Sequence, residues 1–172
     1  MGMDVYGKAP TTEEGRYFRR SVWGWHPLAA YVEDMHPALA AGCEHWHSND
    51  GAGLNAGDSL QLANALRADI DSGEAARYIQ QRDARLAALA RVPCIHCGAT
   101  GTRADSVGRE MKMPERIVTG PPGNPRMGQT GWCNGCDGWG TQEAWETHYR
   151  LELDDVREFA TFLDGCGGFV IN

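Results

Sequence analysis

The chain of 172 residues has no apolar run approaching 18 residues, so no membrane-spanning helix is expected. Its first residues, Met1 to Lys8, have neither a basic segment nor an apolar core, so no secretory signal is expected there. Gly2 is followed by Met3, and position 6 is Tyr rather than Ser or Thr, which argues against a myristoylation signal. Positive charge is scarce. Sixteen Lys and Arg stand against 23 Asp and Glu, for a net charge of −7. An acidic body is repelled by phosphate, which counts against general nucleic-acid binding. Six cysteines without a secretion signal imply a reducing compartment, so a cytoplasmic location is expected.

The common catalytic signatures are also missing. Gly51-Ala52-Gly53 lacks the Gly-Lys-Ser/Thr ending of a nucleotide-binding loop. There is no His-Glu-x-x-His. Gly57-Asp58-Ser59-Leu60 spells an esterase signature, but no Asp-x-x-His follows to complete the site, and Ser59 reads equally well at a helix start. Pro93-Cys94-Ile95-His96-Cys97 has the second half of a zinc deaminase signature, but no His-x-Glu precedes it. The remaining catalytic reading is a hydrolase-type loop built on His45, His47 and Asp50.

What the chain does have is two cysteine knuckles, Cys94-Ile-His-Cys97 and Cys133-Asn-Gly-Cys136, spaced C-x2-C-x35-C-x2-C. Zinc takes four soft ligands in a tetrahedron, and each C-x2-C turn supplies two from one tight loop. Gly98 and Gly101 follow the first pair, Gly138 and Gly140 the second. Such glycines allow turns that bring backbone N–H groups round to the thiolates. The pattern reads as one closed structural Zn2+ site with Cys94, Cys97, Cys133 and Cys136 as ligands. A redox pair would instead need one C-x-x-C at a strand-to-helix junction.

Charge is uneven. Residues 91–141 carry six Lys/Arg against four acids, and the rest of the chain carries ten against nineteen. The candidate contact residues of this basic segment are Arg103, Arg109, Lys112, Arg116 and Arg126, with Trp132 and Trp139 able to stack. Between the knuckles a loop or weak hairpin is expected, projecting and mobile.

Elsewhere the pattern is that of an α+β body formed by residues 1–90 and 142–172, with residues 91–141 as a zinc-ribbon insertion. Residues 1–24 read as irregular. Tyr17, Phe18, Trp23 and Trp25 interleave with arginines, either as a stacking platform or, the reading adopted, as anchors onto a core. Leu28, Tyr31, Val32 and Met35 mark one face of a helix that opens at His26-Pro27. Residues 42–57 form a loop in which Cys43, His45 and His47 lack a fourth metal ligand; it reads as a polar turn with Trp46 inward. Asp58-Ser59 is expected to cap a helix to about Asp69, and a second helix is expected from Glu74 to Ala90. Tyr149, Leu151 and Leu153 alternate as a strand would. Val156, Phe159, Ala160 and Leu163 mark a helix ended by Gly165, and residues 167–171 a final strand. Cys166 reads as a small buried residue.

The second knuckle, Cys133-Asn-Gly-Cys136-Asp-Gly138-Trp-Gly140, resembles the C-x-x-C-x-G-x-G repeat of DnaJ-type chaperones. The first differs by Ala99 in place of one glycine. The resemblance covers residues 94–140 and implies one zinc and a polypeptide-contacting surface. It does not carry co-chaperone activity, because no His-Pro-Asp is present: His26-Pro27 precedes Leu28, and His36-Pro37 precedes Ala38. The rest resembles small proteins of phages and mobile elements, in its Met-Gly-Met-Asp-Val-Tyr start, Trp-x-Trp segment, Ser-Asn-Asp-Gly loop and Val156-Arg-Glu-Phe-Ala160 helix. That resemblance implies a phage setting and no defined activity. Together with the acidic charge and the missing catalytic constellation, it leads to the expectation of a non-enzymatic protein acting in a host cytoplasm on a host protein, as an anti-CRISPR-like inhibitor of a bacterial defence system. The alternative is a nucleic-acid-binding regulator that uses residues 91–141.

Overall fold

The computed structural model describes residues 2–172. The fold is α+β. The chain divides into two compact units, one formed by Met1–Ala87 with His148–Asn172, the other by Ala88–Thr147.

The first unit begins with two strands, β1 (Gly2–Gly7) and β2 (Tyr17–Ser21), followed by four helices, α1 (Val22–Met35), α2 (Pro37–Ala40), α3 (Ala56–Ser72) and α4 (Glu74–Ala87). The chain returns to this unit for helix α6 (Leu153–Gly165) and strand β5 (Phe169–Ile171). Strand β1 lies in the middle of an antiparallel sheet of order β2-β1-β5, with Val5 opposite both Phe18 and Ile171. The irregular start expected from the sequence is therefore the centre of the sheet. Its polar residues alternate with Met3 and Val5, which face the core. The outer edge of β5 is also paired, through Gly51 and Ala52 to Ile171 and Leu54 to Phe169, so the loop before α3 closes that side.

The core is aromatic. Phe18, Trp25, Trp46, Phe159, Phe162 and Phe169 form one cluster of tilted, edge-on and stacked rings with centroids 5.2–6.4 Å apart. Two buried indoles satisfy their N–H groups on backbone: Trp25 donates to Trp46 O at 2.6 Å and Trp46 to Ala40 O at 3.0 Å. These bonds fix the 42–55 loop from inside. Of the segment 16–25, Phe18 and Trp25 are buried, Trp23 stacks against Tyr149 at 4.9 Å, and Tyr17 stays exposed. Leu28, Tyr31 and Val32 are fully buried on α1, as their spacing requires.

Three boundaries differ from the sequence reading. Helix α1 starts at Val22, one turn before His26, because Ser21 accepts from Gly24 N; Pro27 then lies in the second turn, where it forgoes one helical hydrogen bond. The cap of α3 is Asn55, whose side chain accepts from Asp58 N at 2.9 Å, while Ser59 turns into the core. The stretch from Tyr149 to Glu152 is not a strand. Glu152 and Asp155 instead form a reciprocal capping box that starts α6 at Leu153. Pairing with a strand would compete with that box for the Glu152 N–H.

Phe159 touches five other rings of the core and is 0% exposed. Phe159→Ala should cost about 3–5 kcal/mol, measurable by chemical denaturation.

Candidate metal centre

The second unit has few apolar residues to hold it. Its buried side chains are the four knuckle cysteines, Met113, Val118 and Ala144, together with Asn124, which donates to Asp137 O at 2.8 Å. Strands β3 (Val92–Pro93) and β4 (Thr141–Gln142) pair antiparallel at its base, and one short helix, α5 (Ser106–Glu110), lies between the knuckles.

The four Sγ atoms lie within 4.8 Å of one another, and all four residues are buried. Cys94 and Cys133 are 3.8 Å apart at sulfur, as are Cys97 and Cys136. A disulfide requires about 2.05 Å, so these are not bonded pairs. A tetrahedron with metal–sulfur bonds of about 2.3 Å has edges of about 3.8 Å. The donor set and its spacing therefore fit a divalent metal ion such as zinc. Cys97 Sγ accepts a backbone N–H from Gly101 at 3.2 Å, Cys136 Sγ from Gly140 at 3.3 Å and Cys133 Sγ from Gly135 at 3.4 Å. These are the contacts that orient thiolate ligands around a metal. Burial pushes the Cys133 thiol up to about 12 and raises that of Cys136. Burial also opposes ionisation of Cys94, but N–H donors from His96 and Cys97 outweigh it and lower its pKa. A cation between the sulfurs supplies the positive charge that lets the raised thiols ionise.

The two knuckles are copies of one turn. Gly98, Ala99 and Gly101 all have positive φ, and so do Asp137, Gly138 and Gly140 at the matching places. A side chain at Gly101 would strike Gly138 O at 2.5 Å, and one at Gly140 would strike Ala99 O at 2.4 Å, so each knuckle closes onto the backbone of the other. The sulfur bonds of Cys97 and Cys136 both reach four residues ahead. Ala99, the one departure from the glycine pattern, sits at φ 67, where an L side chain is strained.

The contact residues expected between the knuckles are mostly turned onto the unit itself. Arg103 pairs with Asp105 at 3.0 Å and reaches Asn134 at 3.1 Å. Arg109 donates to Ala104 O at 2.7 Å, and Arg126 donates to Thr100 O and Thr102. The Arg91 guanidinium covers the half-buried Trp139 ring at 4.7 Å, so Trp139 is not an open stacking surface. Trp132 is half-buried, while Lys112 and Arg116 point outward. The unit spanning 88–147 holds six Lys/Arg and six Asp/Glu, because Glu143 and Glu146 belong to it, and is neutral. Four thiolates around one divalent ion would add two negative charges.

The segment between the knuckles is folded rather than projecting. Val118 N donates to Gln129 O, Gly128 N to Val118 O and Gly131 N to Arg116 O, making an irregular hairpin. Val118 is buried at its base, against the Gly138 turn. The weak hairpin expected from the sequence is therefore present, paired between Ile117 and Thr130.

His45, His47 and Asp50 do not assemble into a catalytic set. Asp50 accepts from Ser48 at 2.5 Å, and His47 turns to Glu33 and His26, each at 2.8 Å. Among the described residues, the four cysteines are the only group of three or more His, Cys, Asp or Glu whose ligand atoms lie within 4.8 Å of one another. A cavity of about 340 Å³ beside this loop is lined by Glu33, Cys43, Glu44 and Trp46 among others, and by none of His45, His47 or Asp50.

Comparison with known protein families, with curated proteins and with solved structures finds no match to this chain. No helix among the described residues is long and apolar enough to cross a membrane.

Two predictions follow from these geometries. Ala99→Gly relieves the left-handed strain and should stabilise the metal-loaded unit by about 1 kcal/mol, read as a raised melting temperature. Burial, and then the charge of His47, lower the pKa of His26 below its ordinary 6.5. As pH falls below that value the unfolded chain takes up a proton that folded His26 resists. The His26 contribution is therefore present above about pH 6.5 and lost on acidification. Between pH 7.5 and 5.5 (a window of ~2 units about the ordinary histidine pKa) the melting temperature should fall further in the parent than in His26→Gln.

Proposed function

We propose that the chain is a non-enzymatic, zinc-containing binding protein whose partner is another protein. The observation that carries the zinc is the pair of 3.8 Å sulfur separations within a buried four-cysteine cluster, the edge length of a zinc–thiolate tetrahedron. The site is closed. All four positions are thiolates, so the ion builds structure and leaves no open coordination place for a substrate.

What favours a protein partner is the surface that this stapling produces. Ile95 is 79% exposed, and Ile117 and Met127, on the two arms of the hairpin, are 51% and 53% exposed. Exposed apolar residues of this size are what protein interfaces bury. The nucleic-acid reading loses its support from charge. Arg103, Arg109 and Arg126 are spent on internal bonds, and the unit is neutral before the metal is counted. For a partner in a bacterial host, such as a component of a defence system, the support is the sequence resemblance to phage and mobile-element proteins and the acidic first unit.

Elemental analysis of protein purified without added metal should find about one zinc per chain. Cys133→Ser should lose it and unfold the second unit, with loss of its near-ultraviolet signal. Retention of both would sink the metal assignment. Immobilised protein should capture a stoichiometric protein from bacterial lysate, and the Ile117→Glu/Met127→Glu variant should release it while keeping its zinc. A gel shift with bare DNA that weakens steeply with salt, and no such capture, would transfer the function to nucleic acid.

A further inference from the structure

The first unit has nine arginines in a body with seven more acids than bases. Six of them, Arg16, Arg19, Arg20, Arg67, Arg77 and Arg157, are ion-paired with an aspartate or glutamate. Two that are not, Arg82 and Arg85, lie three residues apart on α4 and line the same cavity. Arg82 is partly buried. Its Nη1 is closed off from solvent and has no hydrogen-bond acceptor. Burial is the main cause of its lowered pKa, and the neighbouring Arg85 adds to it. A desolvated guanidinium nitrogen without an acceptor is costly, and surplus carboxylates elsewhere on the surface do not relieve it.

The cavity has a volume of about 230 Å³ and is lined by Tyr78, Gln81, Arg82 and Arg85 of α4 and by Asp34 near the end of α1. The spacing 78, 81, 82, 85 puts these four side chains on one helix face. At ~30 Å³ per water, the space holds several waters or one small oxyanion with its hydration. Two guanidinium groups and a carboxamide offer donors in the arrangement that carboxylates and phosphates accept. Asp34 selects between anions. Its Oδ2 accepts from the Tyr78 hydroxyl at 2.6 Å, which leaves Oδ1, in a residue that lines the cavity, as a further acceptor without a proton of its own. A carboxylate beside a fully deprotonated anion is repelled by it. Beside an anion that keeps one proton, it becomes a hydrogen-bond acceptor.

We propose that this cavity binds a phosphate group carrying one proton, with Arg82 and Arg85 holding its oxygens, Gln81 donating from its amide and Asp34 accepting the P–OH. The same chemistry is offered by free phosphate and by a phosphoryl group on a larger molecule. Sulfate, which has the same shape and no proton near neutral pH, is the discriminating probe.

The test is a titration of the full zinc-loaded chain at pH 6.5, at constant ionic strength, followed by the ¹⁵N resonances of the Gln81 side chain and of Arg82 and Arg85 Nε. Inorganic phosphate should give saturable shifts in the millimolar range, a Kd of ~1 mM or below. Sulfate should bind at least about tenfold more weakly, and Arg82→Gln and Arg85→Gln should each cost phosphate at least about tenfold. Asp34→Asn should bring sulfate level with phosphate, whereas Tyr78→Phe, which keeps the carboxylate, should preserve the preference. Tighter binding of glycerol 3-phosphate than of phosphate would place the group on a larger ligand; equal binding would assign the free ion. No saturable shift up to ~50 mM phosphate, unchanged binding in both arginine variants, or equal binding of sulfate by the parent would each overturn the proposal. Because Arg85 is exposed, its variant carries the arginine test even if Arg82→Gln does not fold.

Discussion

The close approach of four buried sulfurs, a set that could hold one metal ion, is what the second unit is built around. Sixty residues of ordinary globular chain bury a substantial apolar core, and here Met113, Val118 and Ala144 are almost the whole of it. Chain entropy of order 1–2 kcal/mol per residue cannot be met by three side chains. Metal–thiolate bonds would add on the order of 10–16 kcal/mol, the scale of structural zinc in small domains, to what the turns and hydrogen bonds contribute. Everything else in the unit is arranged to leave the sulfurs in place. Glycines let the turns cross, N–H groups point inward, and arginines tie the connecting segment to its own carbonyls.

The first unit rests on different physics. Its aromatic rings bury large areas, and its two buried indoles bond to backbone. The network of Tyr31, His36 and Asp69 is similar: Asp69 Oδ2 takes the Tyr31 hydroxyl at 2.6 Å and His36 Nε2 at 2.7 Å. Hydrogen bonding of this kind fixes the junction of α1 and α2 without adding apolar area.

Periodicity made the helices legible. Leu28, Tyr31 and Val32 on α1, and Val156, Phe159, Ala160 and Leu163 on α6, occupy the buried face that their spacing implies. The cysteine pattern made the metal cluster legible, because two C-x-x-C turns restrict where sulfurs can go. The central strand was hidden by its composition. Gly2, Asp4, Tyr6 and Gly7 dilute the signal of Met3 and Val5, and what makes the segment a strand is pairing with residues as distant as Ile171. The false strand at 149–153 shows the converse. Alternation was present, but a capping box offered the backbone a better local use. The inter-knuckle segment stays basic, but the unit that holds it is neutral because it also contains Glu143 and Glu146. The cavity on α4 had no sequence signature, since an unpaired arginine looks like any solvated one until its surroundings are known.

The position of β1 between β2 and β5 has a consequence for synthesis. A strand made within the first seven residues must wait for residues 169–171 before its second edge is paired. Until then it presents an open edge to the cell. The segment 88–147, by contrast, is contiguous, and its turns and its four buried sulfurs are all made before the first unit is complete. On the ribosome the order of completion would therefore run from the inside of the chain outward, and metal supply would set the pace of the first step rather than the last.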